Sequence, residues 1–151
     1  MQPLHLPGTL DSLAPVSEFV KAAAAAAGLD KHAAYRLRLA VVELVTNVIE
    51  HGYAENGLTG SFDIASELTS ETLTVTIEDD APAYDPRRAD VPDDLHLPPE
   101  ERQIGGLGVY LVLQEVDRYE YAHVDGRNRS VVVMNRPNPT SGPPLPAGER
   151  G

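Results

Sequence analysis

A chain of 151 residues, 42% hydrophobic and 23% charged, has enough material for one hydrophobic core and is short for two. A formal net charge of −11 repels nucleic-acid phosphates and anionic lipid, which argues against direct nucleic-acid binding and against membrane attachment. Cysteine is absent, which removes disulfides and thiolate metal sites and fits a reducing cytoplasm.

The N-terminal MQPLHLPG has neither a basic start nor an apolar signal core, so export is not expected. A first helix is predicted from Asp11 or Ser12, with Pro15 tolerated in its opening turn, through the alanine series Ala22 to Ala27 to a stop at Gly28. Asp30 can cap a second helix reaching His51, with Gly52 at the end, where a left-handed residue is wanted. Leu37, Val41, Leu44 and Val48 form its apolar stripe, widened by Ala40, Val45 and Ile49, which predicts a largely buried helix. No apolar run reaches the length of a membrane span, because Glu43 and Asn47 interrupt the longest.

Alternation then predicts two strands, one around Phe62 and Ile64 and one through Leu73, Val75 and Ile77. Residues 81–104 are polar, rich in Pro and Asp, and aperiodic; a loop of that length is usually functional or disordered. A helix carrying Val109, Val112, Leu113 and Val116 follows. Next comes a hairpin of Arg118 to Val124 and Ser130 to Met134, turning at Asp125-Gly126. Residues 137–151 are dense in Pro and Gly and read as a disordered tail behind a domain at 1–136. Helices and strands mix without βαβ alternation, which predicts an α/β two-layer sandwich: about three helices on a mixed, mainly antiparallel sheet.

Three features carry chemistry. Glu43 and Asn47 are four residues apart, so they share one helix face within the otherwise apolar LAVVELVTNVI, and Glu50 and His51 continue that side. A carboxylate there needs a ligand, a partner or a route to water; the alternatives are an exposed face, or pairing with Arg36 or another cation. Asp79 falls in phase with Leu73, Val75 and Ile77, as a carboxylate reading a ligand donor would, unless the strand has already ended. Gly105-Gly106-Leu107-Gly108 precedes a helix, where backbone amides and the helix dipole favour phosphate, although most short glycine runs are turns. No Gly-Lys-Ser/Thr element exists, which excludes a P-loop, and the five histidines have no metal-ligand spacing.

In this order, the motifs resemble the GHKL ATPase superfamily, most of all its anti-sigma-factor serine/threonine kinase branch, which works by partner switching. The N-box is matched by Glu43-Leu44-Val45-Thr46-Asn47 with His51-Gly52-Tyr53. The G1 region is matched by Ile77-Glu78-Asp79-Asp80 and Tyr84-Asp85-Pro86, and G2 by Ile104-Gly105-Gly106-Leu107-Gly108-Val109. The resemblance implies a Bergerat-type ATP-binding fold over about residues 5 to 136. It implies Asn47 as ligand to Mg²⁺, Glu43 as general base and Asp79 as acceptor of the adenine amino group. ATP phosphates would lie on the amides of Gly105, Gly106, Leu107, Gly108 and Val109, with Arg102 reaching them from a lid at 87–104. The implied partners are an anti-sigma-factor antagonist protein and a sigma factor, and a homodimer is compatible. Two departures stand out: Ala81 and Ala83 replace the G1 glycines, and Arg129 stands where many members carry a small hydroxyl residue near adenine. Alanine resists positive φ, so this turn must take another path or accept strain. The competing expectation is a non-catalytic protein-binding module with weak or structural ATP binding.

Overall fold

In the computed structural model, residues 1–86 and 112–137 are described. Five strands, β1 (Leu4–Pro7), β2 (Ser61–Leu68), β3 (Thr72–Asp79), β4 (Arg118–Val124) and β5 (Arg127–Asn135), form one sheet in the order β1-β2-β3-β5-β4. Helices α1 (Leu13–Ala27) and α2 (Lys31–Asn47) pack together and cover one face of it. The α/β two-layer class expected from the sequence is what the fold shows, and every strand pairing among the described residues is antiparallel. Where the third helix is expected, Val112 and Leu113 are helical and the residues before them lie outside the described ones. No helix among the described residues is long and apolar enough to cross a membrane.

Local chemistry sets the element ends. A 3-10 turn at Leu10–Ser12 leads into α1, and the Ser12 hydroxyl donates to the Pro7 carbonyl at 2.6 Å, fixing the helix start to the end of β1. α1 stops at Gly28 in the left-handed conformation (φ 75°), as its sequence predicts. Asp30 caps α2 by accepting the Ala33 N–H at 2.8 Å. The expected end at Gly52 is corrected. The helical path continues through a π-helical segment, Val48–Tyr53, and a 3-10 turn, Ala54–Asn56, before Gly57 supplies the left-handed residue (φ 66°). Asn56 makes this extension possible, because its side-chain amide donates to the carbonyls of His51 and Gly52 at 3.1 and 2.9 Å. Gly52 answers a different need, space: a Cβ there would stand 3.0 Å from the Cβ of Ala81.

The strand register explains both sheet faces. On the helix side, Ile64, Ile77 and Ser130 lie in one row, Val75 and Val132 in the next, and Leu73 and Met134 in a third. These apolar side chains meet Val16, Val20, Leu37, Val41 and Leu44 in the core. The row nearest the β3 end is Phe62, Asp79 and Asn128, where the apolar pattern gives way to two buried polar groups. The opposite face is polar. There Arg127 reaches Asp63, Asp80 and Glu78 at 2.8, 3.0 and 3.2 Å, and Arg129 reaches Glu78 at 2.6 Å. The β4–β5 turn has positive φ at Asp125 (54°) and Gly126 (78°), the type I′ geometry expected of an Asp-Gly hairpin. β1 was not anticipated: the four residues Leu4–Pro7, the last a proline, give little alternation to read, and proline suits only an edge strand.

Tyr53 links the end of the π segment to the sheet. Its ring lies against Gly8 and Gly60, where added Cβ atoms would come within 2.8 and 2.4 Å of it. Its hydroxyl donates to the Ser61 carbonyl at 2.7 Å and accepts the Asp80 N–H at 3.0 Å. Tyr53→Phe leaves both backbone groups without this partner, so it is expected to cost about 1–2 kcal/mol of unfolding free energy in urea titrations. Gly60→Ala, which expels the ring, should cost more. A Phe variant as stable as wild type would show that water replaces the hydroxyl at no cost.

Candidate functional site

Asn47 and Asp79 are far apart in sequence and line the same pocket. Asn47 ends α2 and Asp79 ends β3, and Leu44, Val48, Gly52, Ile77, Ala81, Pro82, Tyr84, Pro86, Tyr121, Asn128 and Ser130 complete the lining. The pocket encloses about 20 Å³, room for about one water molecule. Asn47 is only 6% exposed, and among the described residues no group hydrogen-bonds its side-chain amide. A buried amide left in that state costs stability unless a ligand or water completes it. The π-helical segment starts directly after Asn47, and such widened turns are frequent at functional sites.

Asp79 is 4% exposed and in core phase, as the alternation of β3 predicts. Its Oδ1 accepts the Ala81 N–H and the Asn128 side-chain N–H, both at 2.9 Å. Burial raises its pKa above the usual carboxylate range, while Asn128, Ala81 and Arg127 act in the opposite direction. Among the described residues Oδ2 takes no hydrogen bond. Ala81 and Ala83 both avoid positive φ, so the turn follows a different path instead of straining, and Ala81 is buried against Gly52.

Glu43 lies one helical turn before Asn47, half-buried and outside the pocket lining. Burial first, and then the charge of Glu50, raise its pKa. It forms no ion pair among the described residues, and Arg36 donates instead to the Glu115 carbonyl at 3.2 Å. Arg36 is therefore not its partner. His51 pairs with Glu55 at 2.7 Å and stacks on Tyr84, with ring centroids 6.5 Å apart.

Arg102, Gly105, Gly106, Leu107, Gly108 and Val109 lie outside the described residues, as does the lid segment 87–104. The Arg129 side chain is on the polar face, paired with Glu78, while its neighbour Ser130 lines the pocket and bonds the Tyr119 hydroxyl at 2.7 Å. Asn128 and Tyr121 were not singled out as pocket residues. The phase argument that singled out Asp79 also selects Asn128 and Ser130, because both share the inward alternation of Val132 and Met134. Among the described residues no cluster of three or more His, Cys, Asp or Glu forms a ready metal cage.

The family model of the histidine kinase-like ATPase domain matches residues 6–136. The chain is 27% identical over 134 residues to the serine-protein kinase RsbW of Halalkalibacterium halodurans, covering 82% of this chain and 81% of that protein. It is 28% identical over 93 residues to the serine-protein kinase RsbW of Bacillus cereus, covering 60% of this chain and 57% of that protein. The chain thus spans little more than half the length of the Bacillus cereus relative. The histidine kinase domain of the Erythrobacter litoralis EL346 blue-light activated histidine kinase superposes with a TM-score of 0.48 at 20% identity, covering 81% of this chain and 59% of that one.

The raised pKa of Asp79 has a signed consequence. A carboxyl with a folded-state pKa above its unfolded value costs stability once ionised, and that cost grows as pH rises through the folded pKa. Asp79→Asn keeps an oxygen for Ala81 and Asn128 and removes the buried charge. Its Tm is expected to exceed wild type at neutral pH, with the gain vanishing as pH falls to about 4, the ordinary Asp range. Melting both proteins across pH checks this; a gain independent of pH would mean that the charge is not its source.

Proposed function

The chain belongs to the histidine kinase-like ATPase domain family, and we propose that it is an anti-sigma-type serine/threonine protein kinase using ATP as phosphate donor. The observation that carries this reading is the pair of buried polar groups in one pocket. Among the described residues the Asn47 amide has no partner and Asp79 has one oxygen without one, as a site for a phosphate-bound metal and a purine amino group requires. Asn47 would hold Mg²⁺, whose bound charge offsets that of the ATP phosphates. Oδ2 of Asp79 would accept from the 6-amino group of adenine. Arg102 and the amides of Gly105, Gly106, Leu107, Gly108 and Val109 would receive the phosphates.

Glu43 would act as the general base. A serine hydroxyl oxygen attacks the γ-phosphorus, the bond to the β–γ bridging oxygen breaks, and ADP leaves with that electron pair. The hydroxyl proton passes to Glu43. A carboxylate raised by burial and by Glu50 is a better proton acceptor than a solvated one. The substrate would be an anti-sigma-factor antagonist, with a sigma factor as the alternate partner, in the cytoplasm. The names of the similar serine-protein kinases support the phosphotransfer class.

One observation favours a second reading, a non-catalytic binding module. The pocket has room for about one water molecule, so a purine enters only if its wall moves. Calorimetric titration of ATP with and without Mg²⁺ separates the two, since no binding at millimolar ATP would exclude the kinase. If ATP binds, phosphate transfer to candidate antagonist proteins is the next measurement. Glu43→Gln should lower transfer about 100-fold or more with ATP affinity nearly unchanged. Asn47→Ala should abolish the Mg²⁺-dependent part of the affinity. Full transfer by Glu43→Gln would remove Glu43 as the base.

A further inference from the structure

The turn after β3 lacks the glycines that would let it bend freely, and one side chain on the neighbouring strand holds it instead. Asn128 faces Asp79 directly in the β3–β5 register and is 6% exposed. Its amide nitrogen donates to Asp79 Oδ1 at 2.9 Å, the Ala81 carbonyl at 3.0 Å and the Pro82 carbonyl at 3.1 Å. Its oxygen accepts the Tyr84 N–H at 3.3 Å and the Tyr121 hydroxyl, and that hydroxyl also accepts the Tyr84 N–H at 3.0 Å. A primary amide has two N–H donors and one oxygen with two lone pairs, so its whole capacity goes to this turn and to Asp79.

We propose that Asn128 is the positioning residue of the nucleotide site, fixing the Asp79 carboxylate so that only Oδ2 meets the base and thereby setting the preference for a 6-amino purine. The inference rests on the ATP reading above. Oδ1 is filled by the Ala81 and Asn128 N–H groups, which leaves Oδ2 as the acceptor on that wall. An ionised carboxylate only accepts, so it welcomes the 6-amino group of adenine and opposes the 6-oxo group of hypoxanthine, acceptor against acceptor. Without Asn128 the carboxylate can rotate and the Ala81–Tyr84 turn loses its anchor. Other charges near Asp79 are Asp80 and Arg127, which meet on the polar face, so they do not replace the amide.

The test compares ATP with inosine triphosphate, which differs at position 6 of the base, by titration calorimetry on the full chain. Wild type should prefer ATP. Asn128→Ala should lose about tenfold in ATP affinity, the worth of one well-placed hydrogen bond, and most of the discrimination, with inosine triphosphate affinity little changed. Tyr121→Phe, which removes one hydroxyl, should shift the same quantities less and keeps the test alive if the alanine variant does not fold. In nucleotide-free protein, the Ala81 and Tyr84 amides should exchange hydrogen faster in both variants while β2 amides do not. Undiminished discrimination with unchanged amide exchange in the folded variants overturns the inference alone. A wild type that binds neither nucleotide overturns the ATP reading and this inference with it.

Discussion

The structure depends on one constraint: a carboxylate is buried at the inner end of a strand, and the fold must make that tolerable. An ionised group with few partners in a dry interior costs several kcal/mol. Asp79 is spared part of that by two N–H donors on a single oxygen, one from its own turn and one from Asn128. Other features follow from the same need. Ala81 must tuck in close for its N–H to reach back, which requires Gly52 to have no side chain. Tyr53 takes the next amide, that of Asp80, and Arg127 holds the Asp80 side chain on the far face. Neighbouring residues are thereby held on opposite sides of the sheet.

Most of the fold was legible because its signals are local. Asp30, Gly28 and the Asp125-Gly126 turn act within a few residues of themselves, and each behaves as its sequence predicts. The core faces of α2, β3 and β5 follow from periodicity. The failures came where distant chain decides the outcome. β1 exists because β2 offers it an edge, and the helical extension past Gly52 survives because Asn56 and Gly57 close it. No propensity in Leu4–Pro7 or Val48–Asn56 announces either.

The site was legible to the same degree and for the same reason. Asp79 could be singled out because phase along one strand is readable, and its burial follows. Bringing Asn47 to the same pocket requires the packing of α2 on the sheet, which spacing along the chain does not contain. On β5 one position exchanges the faces: Ser130 reaches the pocket wall and Arg129 reaches Glu78. Asn128 and Tyr121 were not singled out for the pocket because asparagine and tyrosine near a hairpin have an ordinary explanation as turn residues. Only the register shows that Asn128 sits beside Asp79. The family match over residues 6–136 agrees with the motif order, which is a property of the whole chain.

The π-helical segment bears on how this chain can tolerate insertions and deletions. A π turn contains more residues than an α turn, so Val48–Tyr53 behaves like a helix into which an extra residue has been fitted. Each residue of a regular helix turns the side-chain direction by about 100°. Removing one residue between Asn47 and Tyr53 would restore a regular helix and swing Tyr53 relative to the pocket, out of its slot between Gly8 and Gly60. This stretch is therefore fixed in residue count, although Glu50 within it faces solvent.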